Sequence, residues 1–400
     1  MRISLAPSSW LALLLALLSM LGPFSVDTYL PAFASIAQTL DASAIEVQQT
    51  LTAYMASFSI MILWHGALSD AFGRRNIIIV SLAMYAAASL GCAMAGSVES
   101  LWIFRMLQGV SAGAGIVIGR AITRDLYTGA EAEKMLSLVT MIFSISPAIA
   151  PIIGGWIITL SDWRMIFQLL FVFALLLVVL CWRYLPESLP PERRQPFHPT
   201  MLWRNYRMIF LSPRFQLKAG ALAFNFSGLF LYVASAPVLI TRHLGLGPNQ
   251  FGWLFVPSVA GIFLGALAAN RMAGRRGDRQ VRIGFALLTA AGLANVVYHL
   301  LFAPALPWTV APLFLYTLGM SMVAPGLTLK VLDLFPQVRG TVASCQSFTM
   351  TMLSALVAGL VAPMLDDSVL ALATGQFAFA LIGLLLWRVS IATSIQAQPD

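Results

Sequence analysis

The sequence predicts an all-α membrane protein with twelve transmembrane helices arranged in two halves of six. Three observations predict this class. First, 59% of the 400 residues are hydrophobic and only 10% are charged, whereas a soluble domain carries about 25% charged residues. Second, the apolar residues fall into twelve segments, each long enough to cross about 30 Å of hydrocarbon as a helix. Third, one long polar stretch, 185–214, separates the first six segments from the last six.

The twelve segments are runs of apolar residues between short polar turns. They are predicted at 9–37, 45–66, 76–95, 101–121, 135–158 and 163–184 in the first half, and at 215–240, 250–271, 281–301, 306–328, 339–363 and 369–391 in the second. The first segment begins like a signal peptide. No small-residue cleavage site follows and the apolar sequence continues, so we predict a membrane helix there.

The polar stretch defines the predicted domains. These are an N-terminal six-helix bundle at 1–184, a linker at 185–214 and a C-terminal six-helix bundle at 215–400. The linker is rich in proline and arginine, which favours a cytoplasmic connection with a short surface helix around Met201–Phe210.

The basic residues predict the orientation. With both termini in the cytoplasm, 21 of the 24 Lys and Arg are cytoplasmic, Arg164 and Arg242 are outside, and Arg105 lies within a helix. This distribution follows the positive-inside rule. The net charge of +8 therefore reflects topology and does not predict a nucleic-acid partner.

A charged stretch with glycines joins the second and third segments. Gly66, Asp70, Gly73, Arg74 and Arg75 fall within ten residues. Glycine permits a sharp turn, and an aspartate there can cap a helix or hold an ion pair, so we predict a tight cytoplasmic loop. The stretch resembles motif A, G-x-L-a-D-r-x-G-r-k, of the major facilitator superfamily. The resemblance implies the fold of that superfamily and a gating role for these residues.

The end of the fourth segment, Arg120 to Asp125, is similar to the R-x-x-x-R-D turn of the same family. Arg124 or Arg120 could pair with Asp70 across the loop. The alternative is a solvated face whose arginines only follow the positive-inside rule.

Asp27 is a carboxylate inside the first apolar segment. Charges at membrane depth are costly and usually face a cavity, which suits a group that binds and releases protons. Pro31 and the Gly22-Pro23 pair predict a bend in this helix. The alternative is a hydrated carboxylate close to the outer interface. Asp27 to Ala32 resembles the D-x-Y-L-P-A signature of the Bcr/CflA drug-resistance transporters, which are drug:H+ antiporters with twelve helices.

Arg105 lies in the fourth segment, followed by Gln108 and Gly109. The pattern resembles motif B, l-x-x-x-R-x-x-Q-G, of the same superfamily. Because an arginine keeps its charge, it could exchange partners and modulate Asp27. The alternative is that its side chain extends to the outer surface.

The fifth segment carries Pro151, Gly154 and Gly155. They resemble motif C, g-x-x-x-G-P-x-x-G-G, which is associated with antiporters of this superfamily. Ala150 and Ser146 replace two glycines of that motif. A proline bends the helix, and glycines allow close contact with a neighbouring helix.

Several aromatic and polar residues are candidates for the wall of a substrate cavity. In the seventh segment, Phe226, Phe230, Tyr232 and Ser235 are predicted to share one helical stripe, and packing or lipid contact is the alternative. The other candidates are Tyr29, Tyr54, Tyr316 and Gln346.

The sequence contains no Walker A motif, no HExxH and no paired CxxC. The G-x-S-x-G pattern at 109–113 falls inside an apolar helix, whereas a nucleophile elbow needs a strand before it. Cys92, Cys181 and Cys345 lie in apolar segments and are predicted to be packed thiols. We therefore expect no enzyme activity, no cofactor and no metal site.

The resemblance, which covers essentially the whole chain, implies a proton-coupled multidrug efflux transporter of the bacterial inner membrane, for chloramphenicol- or bicyclomycin-type drugs. It would work by alternating access, with small-molecule substrate, protons and the lipid bilayer as its partners, and we expect a monomer. One alternative is transport of a metabolite such as a nucleoside or sugar derivative. Another is a transport-inactive scaffold or receptor, against which the presence of both Asp27 and Arg105 argues.

The predicted topology can be tested with a new cysteine in the linker 185–214. Because the basic residues place the linker in the cytoplasm, an impermeant thiol reagent should label it only after the membrane is opened. Labelling from the periplasmic side of intact cells would contradict the topology.

Overall fold

The computed structural model describes residues 9–272 and 277–395. Over these residues the chain is helical and has no β-strand. Twelve helical spans within them are long and apolar enough to cross a membrane. The predicted fold class, an all-α protein with twelve membrane helices in two halves, is confirmed. Both chain ends lie outside the described residues, so the side of the membrane on which they lie stays a prediction.

The first six spans follow one another with short connections. Their bounds are Trp10–Thr39, Ala44–Phe72, Arg74–Ala93, Val98–Leu126, Lys134–Leu160 and Arg164–Tyr184. The first, fourth and fifth spans are each made of two helices, which are Ser9–Asp27 and Phe33–Thr39, Val98–Ala112 and Ala114–Leu126, and Gly129–Phe143 and Ser146–Leu160.

The last six spans have the bounds Pro213–Ala234, Pro248–Met272, Arg279–Leu301, Ala311–Leu332, Pro336–Leu365 and Val369–Thr393. Short π-helical turns lie after the seventh span, at Leu239–His243, and within the eleventh, at Val357–Val361. A separate helix, Pro199–Phe210, precedes the seventh span. This linker helix confirms the helix predicted around Met201–Phe210.

Predicted and observed bounds agree within a few residues at most ends. The clearest exceptions are the second span, which continues to Phe72 and not to 66, and the seventh, which ends at Ala234 and not at 240. The tenth span begins at Ala311 and not at 306, since residues 306–310 form a turn.

The contacts divide the chain into two compact units, Met1–Pro199 and Thr200–Asp400. In the first unit the second span packs on the fourth, the third on the fourth and sixth, and the first on the fifth. In the second unit the eighth packs on the tenth, the ninth on the tenth and twelfth, and the seventh on the eleventh. These pairs are equivalent in the two units, but the seventh span also packs extensively on the twelfth, whereas the first span contacts the sixth only slightly.

The exposed surface of the spans is apolar. Leu160, Val179 and Leu385 expose 78%, 57% and 59% of their surface. Such exposure is expected of helices whose solvent is lipid. The three cysteines are buried and unpaired, which confirms the predicted packed thiols.

Candidate functional site

Asp27 ends the helix Ser9–Asp27, at the point where the first span is interrupted. Pro23 lies inside this helix and Pro31 lies in the short turn Leu30–Ala32 that follows. Proline removes a backbone donor and disfavours helix in the residue before it. The prolines therefore explain the interruption, which lies where the sequence predicted a bend.

The Asp27 side chain is buried, with 6% of the residue exposed. Within the described part of the chain, no group donates a hydrogen bond to its carboxylate and no cation pairs with it. A buried charge without a partner costs several kcal/mol. Binding a proton would remove that cost.

Arg105 is fully buried. Its Nη1 donates hydrogen bonds to the Ser25 hydroxyl at 3.2 Å and to Gln108 Oε1 at 2.9 Å. The guanidinium also lies 4.6 Å from the ring centroid of Tyr29 and 4.3 Å from that of Tyr54. The alternative in which this side chain extends to the outer surface is therefore wrong.

Two donor nitrogens of Arg105, Nε and Nη2, have no hydrogen-bond partner among the described residues. Ser25, which accepts from Nη1, precedes Asp27 by two residues in the same helix. The guanidinium is thus anchored within one helical turn of the Asp27 backbone, with donors available for a further acceptor. A further anionic or carbonyl acceptor could bind these donor nitrogens.

Gln108 of motif B positions the arginine. Its Nε2 donates to the Ser89 hydroxyl at 2.8 Å, and its Oε1, besides accepting from Arg105, accepts from Cys92 Sγ at 3.6 Å. Ser89 and Cys92 belong to the third span. Sequence reasoning missed Ser25 and Ser89 as partners, because serine in an apolar helix gives no distinctive signal.

Tyr29 and Tyr54 are both fully buried. The Tyr29 hydroxyl lies 2.7 Å from Thr50 Oγ1, and the Tyr54 hydroxyl donates to the carbonyl of Gly22 at 2.9 Å. With their polar ends satisfied, the two rings are held against Arg105. Each such cation–π contact stabilises a desolvated guanidinium by about 2 kcal/mol.

The motif C residues lie in the helix Ser146–Leu160, with Pro151, Gly154 and Gly155 buried. A Cβ on Gly154 would collide with the backbone carbonyl of Thr28. Glycine is therefore needed here for the fifth span to contact the first span directly after Asp27.

The prediction of a loop at motif A is wrong. The helices Ala44–Phe72 and Arg74–Ala93 meet at the single residue Gly73, which has φ +95°. Only glycine adopts such a conformation without strain. Residues 66–72, predicted as part of the loop, complete the second span.

Arg74 is the centre of an ion-pair cluster at this junction, and it is buried. Its Nη1 lies 2.5 Å from Asp70 Oδ1 and 2.7 Å from the Ser69 hydroxyl, and its Nε lies 3.1 Å from Asp125 Oδ2. The proposed pairing of Asp70 with Arg124 or Arg120 is therefore replaced by a pair within motif A. Both arginines are exposed.

Gly66 and Arg75 take other positions at the junction. A Cβ on Gly66 would make only ordinary contact with Val117, at 3.7 Å. Arg75 Nη2 donates to the carbonyl of Trp182 in the sixth span.

Residues 187–195 of the linker lie over this junction, and we call them the linker strap. Glu187 Oε1 accepts the backbone N–H of Arg74 at 3.0 Å, where it caps the third span. Ser188 donates to Asp125 at 2.9 Å, and the Gln195 N–H donates to the Asp70 carbonyl at 3.1 Å. Sequence reasoning missed the strap, since its acceptors lie far away in the chain.

The candidates of the seventh span lie on two faces of the helix. Phe226 and Phe230 stack with ring centroids 6.3 Å apart. Tyr232 lies about 200° round the helix from Phe230, and its hydroxyl accepts from Asn295 Nδ2 at 2.7 Å. Ser235 is buried, and its hydroxyl has no partner among the described residues.

The other two candidates of the second unit are hydrogen-bonded inside it. The Tyr316 hydroxyl donates to the Asn225 carbonyl at 2.9 Å, and Gln346 Nε2 donates to the Thr328 hydroxyl at 2.9 Å. Asn295 Nδ2 also donates to Gln376 Oε1 at 3.1 Å. Sequence reasoning missed Asn295 and Gln376, which link the ninth and twelfth spans. Isolated amides in apolar helices are the signal that could have identified them.

A bundle of membrane helices in two units of six, with a buried carboxylate in an interrupted helix, is the architecture of a secondary transporter. The chain belongs to the Major Facilitator Superfamily, whose family model matches residues 15–359. The family predicted from motifs A, B and C is confirmed. Because it is a family of transporters, the chain is a multi-pass membrane protein and not an enzyme.

Curated relatives match the chain over most of its length. An uncharacterized MFS-type transporter, YdgK, from Bacillus subtilis is 33% identical over 380 residues, 93% of each chain. A bicyclomycin resistance protein homolog from Haemophilus influenzae is 29% identical over 357 residues, 89% of each chain. Multidrug resistance protein D from Escherichia coli is 28% identical over 334 residues, 83% of each chain.

Solved structures share the fold. A bacterial homolog of the human lysosomal transporter Spinster aligns with a TM-score of 0.69 and 16% identity, covering 98% of each chain. The D-xylose–proton symporter aligns with a TM-score of 0.69 and 15% identity, covering 94% of this chain and 96% of its own.

Replacement of Gly73 by alanine tests the motif A junction. We expect Gly73→Ala to lower the unfolding temperature, because φ +95° strains any other residue by about 1–3 kcal/mol and the new Cβ would lie 2.5 Å from Glu187 Oε2. Gly129→Ala is the matched control, since Gly129 has φ +56° and no atom within 4 Å of its Cβ position. Thermal unfolding in detergent measures both variants. Equal shifts for the two would contradict a steric role of the strap.

Proposed function

We propose that this chain exports small amphipathic drugs across the bacterial inner membrane in exchange for protons. In this proposal both termini and the linker lie in the cytoplasm. The protein acts as a monomer and has no nucleic-acid partner. The support for the proposal is the names of the relatives, one a bicyclomycin resistance protein homolog and one a multidrug resistance protein. Both match more than four fifths of the chain.

The single observation that carries proton coupling is the burial of Asp27 without a partner among the described residues. Arg105, which is hydrogen-bonded to Ser25 of the same helix as Asp27, keeps two donor nitrogens unpaired among those residues. When Asp27 is protonated, the site holds only the charge of Arg105. When the proton leaves, the carboxylate and the guanidinium can attract each other, so protonation selects between two arrangements of the first span.

Alternating access connects this step to export. Protons enter from the acidic outer side and protonate Asp27, and release on the inner side completes the cycle. Substrate moves outward while the two six-helix bundles change which side of the membrane they open to. Tyr29 and Tyr54 are the residues through which a bound substrate would act on Arg105, because their rings already touch it.

The motif A junction is the gate in this proposal. Asp70, Arg74 and Asp125 hold the second, third and fourth spans together, and the strap covers them. This ion-pair cluster stabilises the state of the transport cycle in which it is formed. The cluster must break before the protein can leave that state. Transport of a nucleoside or sugar derivative, the alternative left open by the sequence, is not favoured by the resistance proteins among the relatives.

The Asp27→Asn variant tests proton coupling. Asparagine keeps the size of the side chain but cannot titrate, so substrate binding should survive while uphill transport driven by a pH gradient is lost. Asp27→Glu keeps the titration and should retain part of the activity. The measurement is drug or dye transport in inverted vesicles, with and without an imposed gradient.

Asp41→Asn is the matched control for this experiment, since Asp41 is an exposed aspartate just beyond the end of the same span. It should transport like the unmodified protein. Uphill transport by Asp27→Asn on the gradient would mean that the proton passes elsewhere and that the assignment of Asp27 is wrong.

The Asp70→Asn variant tests the gate. It should insert normally but turn over more slowly, by about fivefold to a hundredfold if the coupling is 1–3 kcal/mol. Asp333→Asn breaks an exposed pair with Arg339, 2.7 Å long, and serves as the control. The initial rate of efflux at equal protein level is measured, and an unchanged rate in Asp70→Asn would refute the gating role.

A further inference from the structure

The linker helix, Pro199–Phe210, is fixed to the second unit by one face. Tyr206 and Ile209 are buried. The Phe210 ring contacts Phe215 at a centroid distance of 5.8 Å and Phe348 at 5.5 Å. These contacts hold the helix against the seventh and eleventh spans, so its other face has a fixed direction.

That other face combines apolar and cationic side chains. Trp203 and Met208 expose 68% and 47% of their surface, and Leu211, which follows the helix, exposes 64%. Arg204 and Arg207 are exposed between them. We call these five residues the linker-helix face. A mixture of aromatic, aliphatic and arginine side chains is typical of helices that lie in a membrane interface.

No acidic residue accompanies this face in sequence, because residues 193–277 contain neither aspartate nor glutamate. In space the same holds for the described part of the chain, where no carboxylate lies within ion-pair distance of Arg204, Arg207 or Arg214. The positive charge of the face is therefore not neutralised by the protein.

A second, independent observation comes from the start of the seventh span. Lys218 is buried, with 8% of the residue exposed, and has no anionic partner among the described residues. The charges of Arg214, one turn earlier, and of Lys330 in the tenth span repel that of Lys218. An anion from outside the chain would offset this repulsion and the cost of burying the ammonium.

We propose that the linker-helix face, together with Arg214 and Lys218, is a docking surface for the headgroups of anionic phospholipids. The phosphate groups neutralise the arginines and Lys218, while Trp203, Met208 and Leu211 contact the upper part of the acyl chains. This inference is independent of the proposed drug export.

The side chains of the linker-helix face fit a lipid surface better than a free anion. A free phosphate would explain the cations but would leave the exposed tryptophan and leucine in water. A bilayer with anionic lipids satisfies both, since a basic residue near such a surface gains about 1 kcal/mol and tryptophan prefers the interface. The positive-inside rule places this end of the helices at the cytoplasmic leaflet.

Fluorescence quenching of Trp203 by brominated lipids tests the proposal. The full-length protein is placed in nanodiscs with equal mole fractions of brominated phosphatidylglycerol or brominated phosphatidylcholine. Because the chain has 10 tryptophans, the contribution of Trp203 is taken as the difference from Trp203→Phe. We expect stronger quenching by phosphatidylglycerol, and a preference that weakens in 1 M salt, where the screening length falls to about 3 Å.

The Arg204→Gln/Arg207→Gln double variant should reduce the preference at least about fivefold. Arg242→Gln, at the opposite end of the seventh span, should leave it unchanged. Equal quenching by the two lipids, or no quenching by either, would overturn the proposal. Loss of the preference on addition of soluble glycerol phosphate would also overturn it, because the surface would then recognise free phosphate.

Discussion

The burial of one guanidinium is the constraint on which the first unit depends. Arg105 is fully buried and cannot lose its charge, so leaving it unsatisfied would cost several kcal/mol. The compensation comes from Ser25 of the first span, Tyr54 of the second, and Gln108, which is itself held by Ser89 of the third. Four spans are thus positioned by the need to solvate a single charge.

Close helix contacts make this arrangement possible. A Cβ on Gly109 would collide with the carbonyl of Tyr54, so the glycine of motif B lets the second span bring its tyrosine ring over Arg105. Gly154 does the same for the fifth span at the carbonyl of Thr28. Gly109 of motif B and Gly154 of motif C therefore supply close helix contacts around Arg105 and around the interruption of the first span after Asp27.

Sequence reasoning predicted the twelve spans well, because lipid forces every span to be a long apolar helix. It also placed Asp27 and Arg105 inside apolar spans and predicted an irregularity in the first span, since charges and prolines in apolar runs are conspicuous. It failed at Gly73, where a motif that looks like a loop is a junction of one residue. The reason is that Glu187, which caps the third span there, lies 113 residues away in the chain. Amides such as Asn295 were missed for a related reason, because their partners are set by packing.

Proton release on substrate binding tests most directly the proposal that Asp27 carries the exchanged proton. Purified protein in weakly buffered detergent solution, with a pH-sensitive dye, is mixed with a saturating concentration of an exported drug. If Asp27 carries the exchanged proton and substrate binding displaces that proton, the unmodified protein should release a proton on mixing. Asp27→Asn should bind the drug without any release. Equal proton release by Asp27→Asn would contradict the assignment of Asp27.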